Sequence, residues 1–292
     1  DRLGVELSLR TLFANPTVVA LAEQIAEWDA VKKYSPIIPL RTGGMEAALF
    51  CIHPAGGLAT GFRSLSLSLT TNCPVYGVQA RGFGYGELPF SSWDEMVETY
   101  KSSIAEVQPK GELRLLGFSA GGLIAHDLAV KFAESGRKIG FLGLIDSYLP
   151  DYDARKTLSN NEILQMFLDE TEEGRSMSGS FKDLYQAALN QFKRQNGCSE
   201  DEARFWIERI MNEMAANHSR SLSHYPRVGG FNATYFSADA KIKSPDIFAK
   251  RRAWMLYCRD VKYISLNMTH HEALEPDSAA MIATLIDDIL SH

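Results

Sequence analysis

Gly117-Phe118-Ser119-Ala120-Gly121, with Gly122 behind it, is the stretch that decides the fold. An apolar run precedes it, Leu113-Arg114-Leu115-Leu116, and Leu123, Ile124, Leu128, Val130 and Phe132 follow at helical spacing. In a chain of 292 residues with 22 glycines, a G-x-S-x-G pattern is a weak signal by itself. The strand before it and the helix after it supply the context the pattern requires. A serine in so sharp a strand-to-helix turn is held in strained backbone with its hydroxyl exposed. Glycines flank it because neighbouring side chains would collide. The helix then aims its first amides at negative charge developing on an attacked carbonyl. This arrangement suits acyl transfer through a covalent serine ester.

On either side of this turn, strands alternate with helices. The expected strands are Ile37-Leu40, Leu49-His53, Val75-Gln79, Leu113-Phe118, Phe141-Ile145, Asn232-Ser237 and Val261-Leu266. Helical stretches such as Trp93-Val107 and Leu123-Glu134 separate several of them. The alternation predicts an α/β fold with a mostly parallel sheet. Between Pro150 and Gly230 the rhythm breaks. Amphipathic segments near Glu162-Glu170, Phe181-Phe192 and Glu202-Met214 replace it, the last with Trp206, Ile207, Ile210, Met211 and Met214 on one face. Ligands of open α/β sheets bind beyond the strands' carboxyl ends, so this insertion is expected to lie over Ser119 as a helical lid. The bland alternative is that these helices only enlarge the core.

Bulk properties narrow the function. A net charge of −6 suggests neither a nucleic-acid partner nor an anionic membrane surface. No apolar stretch approaches the roughly 20 residues of a membrane span. The chain opens on Asp1 with no basic-then-apolar leader, which reads as a fragment excised from a cytoplasmic protein. Cys51, Cys73, Cys198 and Cys258 lie far apart, without the spacing of a zinc site or a disulfide framework. Gly82, Gly84 and Gly86 form G-x-G-x-G with no helix opening behind it, so they read as a flexible loop near the site and not as a dinucleotide fingerprint.

A serine hydroxyl needs a base to take its proton and a carboxylate to orient that base. On an α/β-hydrolase fold the chain order is Ser, acid, His. His53 precedes the serine, His126 lies two turns along its helix, His218 and His224 end the insertion, and His292 is terminal. His270 and His271 remain, just after the last strand. Asp146 directly follows the run Phe141-Leu142-Gly143-Leu144-Ile145, and Asp239 after a later strand competes with it. Two backbone amides should form an oxyanion hole: that of Ala120, and that of Ala55 in the glycine-rich turn His53-Pro54-Ala55-Gly56-Gly57.

From about Pro39 to Leu290 the chain resembles the C-terminal (type I) thioesterase domain of nonribosomal peptide synthetases. The matching stretches are Leu49-Phe50-Cys51-Ile52-His53-Pro54-Ala55-Gly56-Gly57, Val75-Tyr76-Gly77-Val78-Gln79-Ala80-Arg81-Gly82, the serine turn, and Leu142-Gly143-Leu144-Ile145-Asp146. The resemblance implies Asp146 as the acid. It also implies His270 as the base, since in that family the base precedes a segment matched by Glu272-Ala273-Leu274. The glycine usual two residues before that histidine is Met268 here.

Residues Gly4 to Gln24 are similar to the end of a peptidyl carrier domain, with Asn15-Pro16 capping a short amphipathic helix. The expected organisation is a carrier remnant at 1–29, a linker at 30–36, and a thioesterase domain at 37–292 with its lid at about 150–230. The carrier's modifiable serine would lie upstream, so no cofactor is expected in this chain. The partner implied is a carrier domain whose phosphopantetheine arm delivers an acyl or peptidyl chain. Two other functions fit less of the sequence. A stand-alone editing thioesterase would lack the carrier remnant, and a non-catalytic carrier-docking module would not need Ser119, Asp146 and His270.

Overall fold

A computed structural model describes residues 34–83, 87–150, 156–168, 179–240 and 252–291. The expected carrier remnant, Gly84, Gly86 and His292 lie outside the described residues. The chain divides into two units, Asp1–Ser35 and Pro36–His292, and the fold described belongs to the second.

Its strands are β1 (Ile37–Arg41), β2 (Leu49–Ile52), β3 (Val75–Val78), β4 (Leu113–Phe118), β5 (Ile139–Ile145), β6 (Asn232–Ala238) and β7 (Asp260–Leu266). They form one seven-stranded sheet in the order β1-β3-β2-β4-β5-β6-β7. Among the described strands only β1 runs antiparallel to its neighbour; the other pairs are parallel. β2 and β4 are buried along their whole length, which is why, apart from Arg114 with its partners Glu46 and Glu112, they read as apolar runs with no alternation. Strand ends differ from expectation by one or two residues. His53 and Gln79 fall just outside β2 and β3, although their N–H groups still donate to the Val78 and Pro36 carbonyls at 3.1 and 2.8 Å.

Helices cover both faces. α1 (Arg63–Ser68) and α7 (Pro276–Leu290) pack on each other over a core that includes Leu49, Cys51, Leu65, Leu116 and Ile282. Strand side chains alternate, so Phe50 and Ile52 point to the opposite face. There α3 (Ala120–Glu134) lies against β2, β4 and β5 and packs on α2 (Trp93–Val107).

Between β5 and β6 come α4 (Asn160–Leu168), α5 (Phe181–Asn196) and α6 (Glu200–Leu222). Ser180 with Asp183 and Ser199 with Glu202 form capping boxes that start α5 and α6. The three helices close a second core around Leu164, Leu184, Ile207 and Met211, which also takes in Ala80 and Phe83 from beyond β3. Among the described residues, no helix is long and apolar enough to cross a membrane.

Candidate active site

β4 delivers Ser119 into a turn with φ +55°, an unusual conformation for a residue with a Cβ. Its N–H still donates to the Ile145 carbonyl at 2.9 Å, so the ladder holds one residue beyond the strand. The flanking glycines are required sterically. A Cβ on Gly117 would lie 2.3 Å from the Gly121 carbonyl oxygen, and one on Gly121 would lie 2.4 Å from that of His53. α3 then begins at Ala120.

On the neighbouring strand, Asp146 also has positive φ, at +40°, and its N–H donates to the Phe236 carbonyl at 2.8 Å. The residue is completely buried. Its Oδ1 accepts from the Ala238 N–H at 3.2 Å, and its Oδ2 from the Tyr148 hydroxyl at 2.9 Å. Oδ2 also meets His270 Nδ1 at 2.8 Å, while His270 Nε2 lies 3.1 Å from Ser119 Oγ. With Nδ1 protonated, the line has one polarity: Ser119 donates to the imidazole, which donates to the carboxylate. Phe118 and Tyr148 flank the His270 ring, with ring centres 4.8 and 6.2 Å away.

The other candidates are placed elsewhere. Asp239 accepts hydrogen bonds from Ser237 Oγ at 2.7 Å and from Ser265 Oγ. His271 stands edge-on to His270, with ring centres 5.2 Å apart. His126 meets the Tyr257 carbonyl at 3.1 Å, His218 meets that of Lys156 at 2.7 Å, and His224 stacks on Trp93.

His53 is buried beneath the loop that carries Ala55. Burial pushes its pKa down to about 4, opposed by a hydrogen bond to the Pro54 carbonyl, so the ring is neutral. Nδ1 donates to the Pro54 carbonyl at 2.7 Å and Nε2 accepts from the Tyr100 hydroxyl at 2.8 Å. Gly57 N–H closes the turn onto the same carbonyl at 3.0 Å. Sequence reasoning assigned no part to Asn217 of α6, whose Nδ2 donates to the Ala55 carbonyl at 2.8 Å, or to Tyr148.

Two cavities meet at Ser119. The first, about 350 Å³, is walled by Trp93, Leu123, Ile124, Leu149, Leu158, Met166, Met214 and Leu222, with Tyr148 and Asn217 among its polar residues. The second, about 420 Å³, is bounded by Pro54, Leu58, Phe167, Ile210, His270, His271 and Leu274. Ala55 and Ser119 line both cavities, and His270 lines only the second. Met166 of α4 and Met214 of α6 border both, so the insertion walls the site.

Comparison with known proteins agrees with this architecture. The family model described as "Thioesterase domain" matches residues 47–213. The chain is 40% identical over 148 residues to the Dimodular nonribosomal peptide synthase of Bacillus subtilis, a match covering 51% of the chain and 6% of that synthase. It is 30% identical over 295 residues to the Malpibaldin synthetase of Mortierella alpina, covering all of the chain and 5% of that protein. The chain thus spans about a twentieth of the length of these curated relatives. Among solved structures, the Vlm2 thioesterase domain superposes with a TM-score of 0.67 at 22% identity, covering 87% of this chain and 96% of that one. That likeness is one of α/β-hydrolase fold.

Proposed function

The chain belongs to the thioesterase-domain family, and on that footing we propose that it releases acyl or peptidyl chains from a nonribosomal assembly line. The carrier of that reading is the hydrogen-bonded line from Asp146 through His270 to Ser119, set at the carboxyl ends of β4, β5 and β7. In this scheme Ser119 Oγ attacks the carbonyl carbon of a phosphopantetheine thioester while His270 Nε2 takes its proton. The tetrahedral oxyanion sits against the amides of Ala55 and Ala120. Losing one such donor typically raises a barrier by ~3–4 kcal/mol. Collapse breaks the carbon–sulfur bond, and His270 returns the proton to the departing thiol. Water, or a nucleophile within the acyl or peptidyl chain itself, then gives its proton to His270 and attacks the acyl-Ser119 ester, whose carbon–Oγ bond breaks as His270 returns the proton to Ser119, releasing the product by hydrolysis or cyclisation.

The cavities suggest which arm goes where. His270 must protonate the thiol, and it lines the second cavity only, so the phosphopantetheine arm belongs there. The acyl group then lies in the first, largely apolar cavity. In this reading residues 1–29 are the tail of the carrier that delivers the substrate, and α4 to α6 form the lid.

Turnover of an acyl thioester, with labelling by a fluorophosphonate, tests the assignment. Ser119→Ala should abolish both. Labelling that survives the substitution would sink the role given to Ser119.

A further inference from the structure

The oxyanion loop is clamped from two sides, and the second clamp comes from the helical insertion. An amide helps an oxyanion only if its N–H points at one spot, so the peptide plane that carries the Ala55 N–H must be fixed and the residue anchored on its far side as well. The Pro54–Ala55 plane is held through the Pro54 carbonyl by His53 Nδ1 at 2.7 Å and Gly57 N–H at 3.0 Å. The Ala55–Gly56 plane is held through the Ala55 carbonyl by Asn217 Nδ2 at 2.8 Å.

Asn217 stands on a face of α6 that runs along this loop. A Cβ on Gly56 would sit 3.3 Å from Ile210 Cγ2, and one on Gly57 would sit 2.7 Å from Glu213 Cγ. Glycine at both positions lets the helix approach, and Ile210, Glu213, Asn217 and Arg220 recur at i, i+3, i+7 and i+10. Glu213, Asn217 and Arg220 are all buried, at 1%, 4% and 5% exposure, although such residues usually face solvent.

Their hydrogen bonds fix the direction of the amide. Arg220 Nη2 donates to Asn217 Oδ1 at 2.8 Å and to Glu213 Oε1 at 2.5 Å, while Nη1 donates to the Phe90 carbonyl at 2.6 Å. With its oxygen claimed by Arg220, the Asn217 amide can only turn its nitrogen toward Ala55.

Resting on the thioesterase reading, we propose that Asn217 is a positioning residue for the oxyanion loop. It makes the aim of the Ala55 N–H depend on the seating of α6 over the site. The insertion then acts on the chemical step as well as on substrate access, because a displaced α6 releases the Ala55 carbonyl and leaves the Ala55 backbone anchored on one side only.

Asn217→Ala should lower kcat for an acyl thioester by on the order of tenfold to a hundredfold, part of what outright loss of a donor costs, with KM nearly unchanged. Affinity for a boronic acid that forms a tetrahedral adduct on Ser119 should fall by the same factor. Binding of an unreactive thioether analogue should stay level. Asn217→Asp, which keeps the volume and the acceptor for Arg220 but presents no N–H, is read the same way should the alanine variant fail to fold.

The proposal is overturned by kcat and boronate affinity within about twofold of wild type, or by a loss confined to KM. A lowered melting temperature with unchanged turnover per titrated serine overturns it as well. Wild-type protein that hydrolyses no thioester but binds the boronate would sink the thioesterase reading alone, and the boronate ratio would still decide Asn217. No boronate binding by wild type overturns both.

Discussion

The floor and the roof of this site are held by different forces. Ser119 and Asp146 are placed by backbone: each sits one residue beyond a parallel strand, at positive φ, with its N–H bonded to the next strand. The roof, α4 to α6, is built around an apolar core that also takes in Ala80 and Phe83, and it meets the loop beneath it through Ile210 and a buried polar row on α6. A floor set by sheet hydrogen bonds is rigid, because shifting one residue would shift the register. A roof that rests on side chains can move or vary without disturbing the sheet. Precision therefore belongs to the strand ends and adaptability to the helices.

The sharpest way to break this contrast is at the acid. Asp146→Asn should cost about 10⁴-fold in kcat by leaving His270 in the wrong tautomer, whereas Asp239→Asn should change it by less than about threefold. Steady-state thioester hydrolysis with circular dichroism as a folding control decides it, and the reverse ranking would move the acid to β6. Next, Gly121→Ala forces a Cβ toward the His53 carbonyl oxygen at 2.4 Å. A loss of about 3 kcal/mol in denaturant unfolding is expected, together with slower fluorophosphonate labelling.

The roof should answer differently. Leu184→Ala empties part of its core and should cost about 2–3 kcal/mol. Hydrogen exchange should quicken in α4 to α6 and stay unchanged in β4 and β5; equal quickening in the sheet would show floor and roof to be one cooperative unit.

The smallest effect concerns Glu213. Burial pushes its pKa up to about 7, with Arg220 pulling the other way. The folded chain therefore keeps a proton that the unfolded chain releases above its ordinary carboxylate pKa. Stability falls as pH rises from about 4.5 to 7. Glu213→Gln lacks that penalty, so its melting temperature should match wild type near pH 5 and gain a few degrees on it by pH 8, at ~2–4 °C per kcal/mol. A variant that instead falls behind with rising pH would mean that the Arg220 pairing outweighs desolvation.

Legibility in the sequence followed the same division. Ser119 was readable because the turn needs glycines at fixed offsets, and Asp146 because it ends an apolar run. His270 could not be separated from His271 by chain order alone; the family resemblance favoured it, and only coordinates place its ring within hydrogen-bond reach of Asp146 and Ser119. Strand order was hidden as well. Nothing local in Ile37–Arg41 says that β1 pairs antiparallel with β3. The polar row on α6 escaped because glutamate, asparagine and arginine on a helix ordinarily mark its wet side. Their spacing of i, i+4 and i+7 was visible, but their burial depends on two missing side chains at Gly56 and Gly57, about 160 positions earlier in the chain.

Tyr148 serves two surroundings at once. Its ring walls the first cavity, and its hydroxyl braces the carboxylate of Asp146. Any group lodged against that ring would press on the Asp146 carboxylate through a single phenol. Under the proposed mechanism, how well a guest fits would thereby reach the group that orients His270.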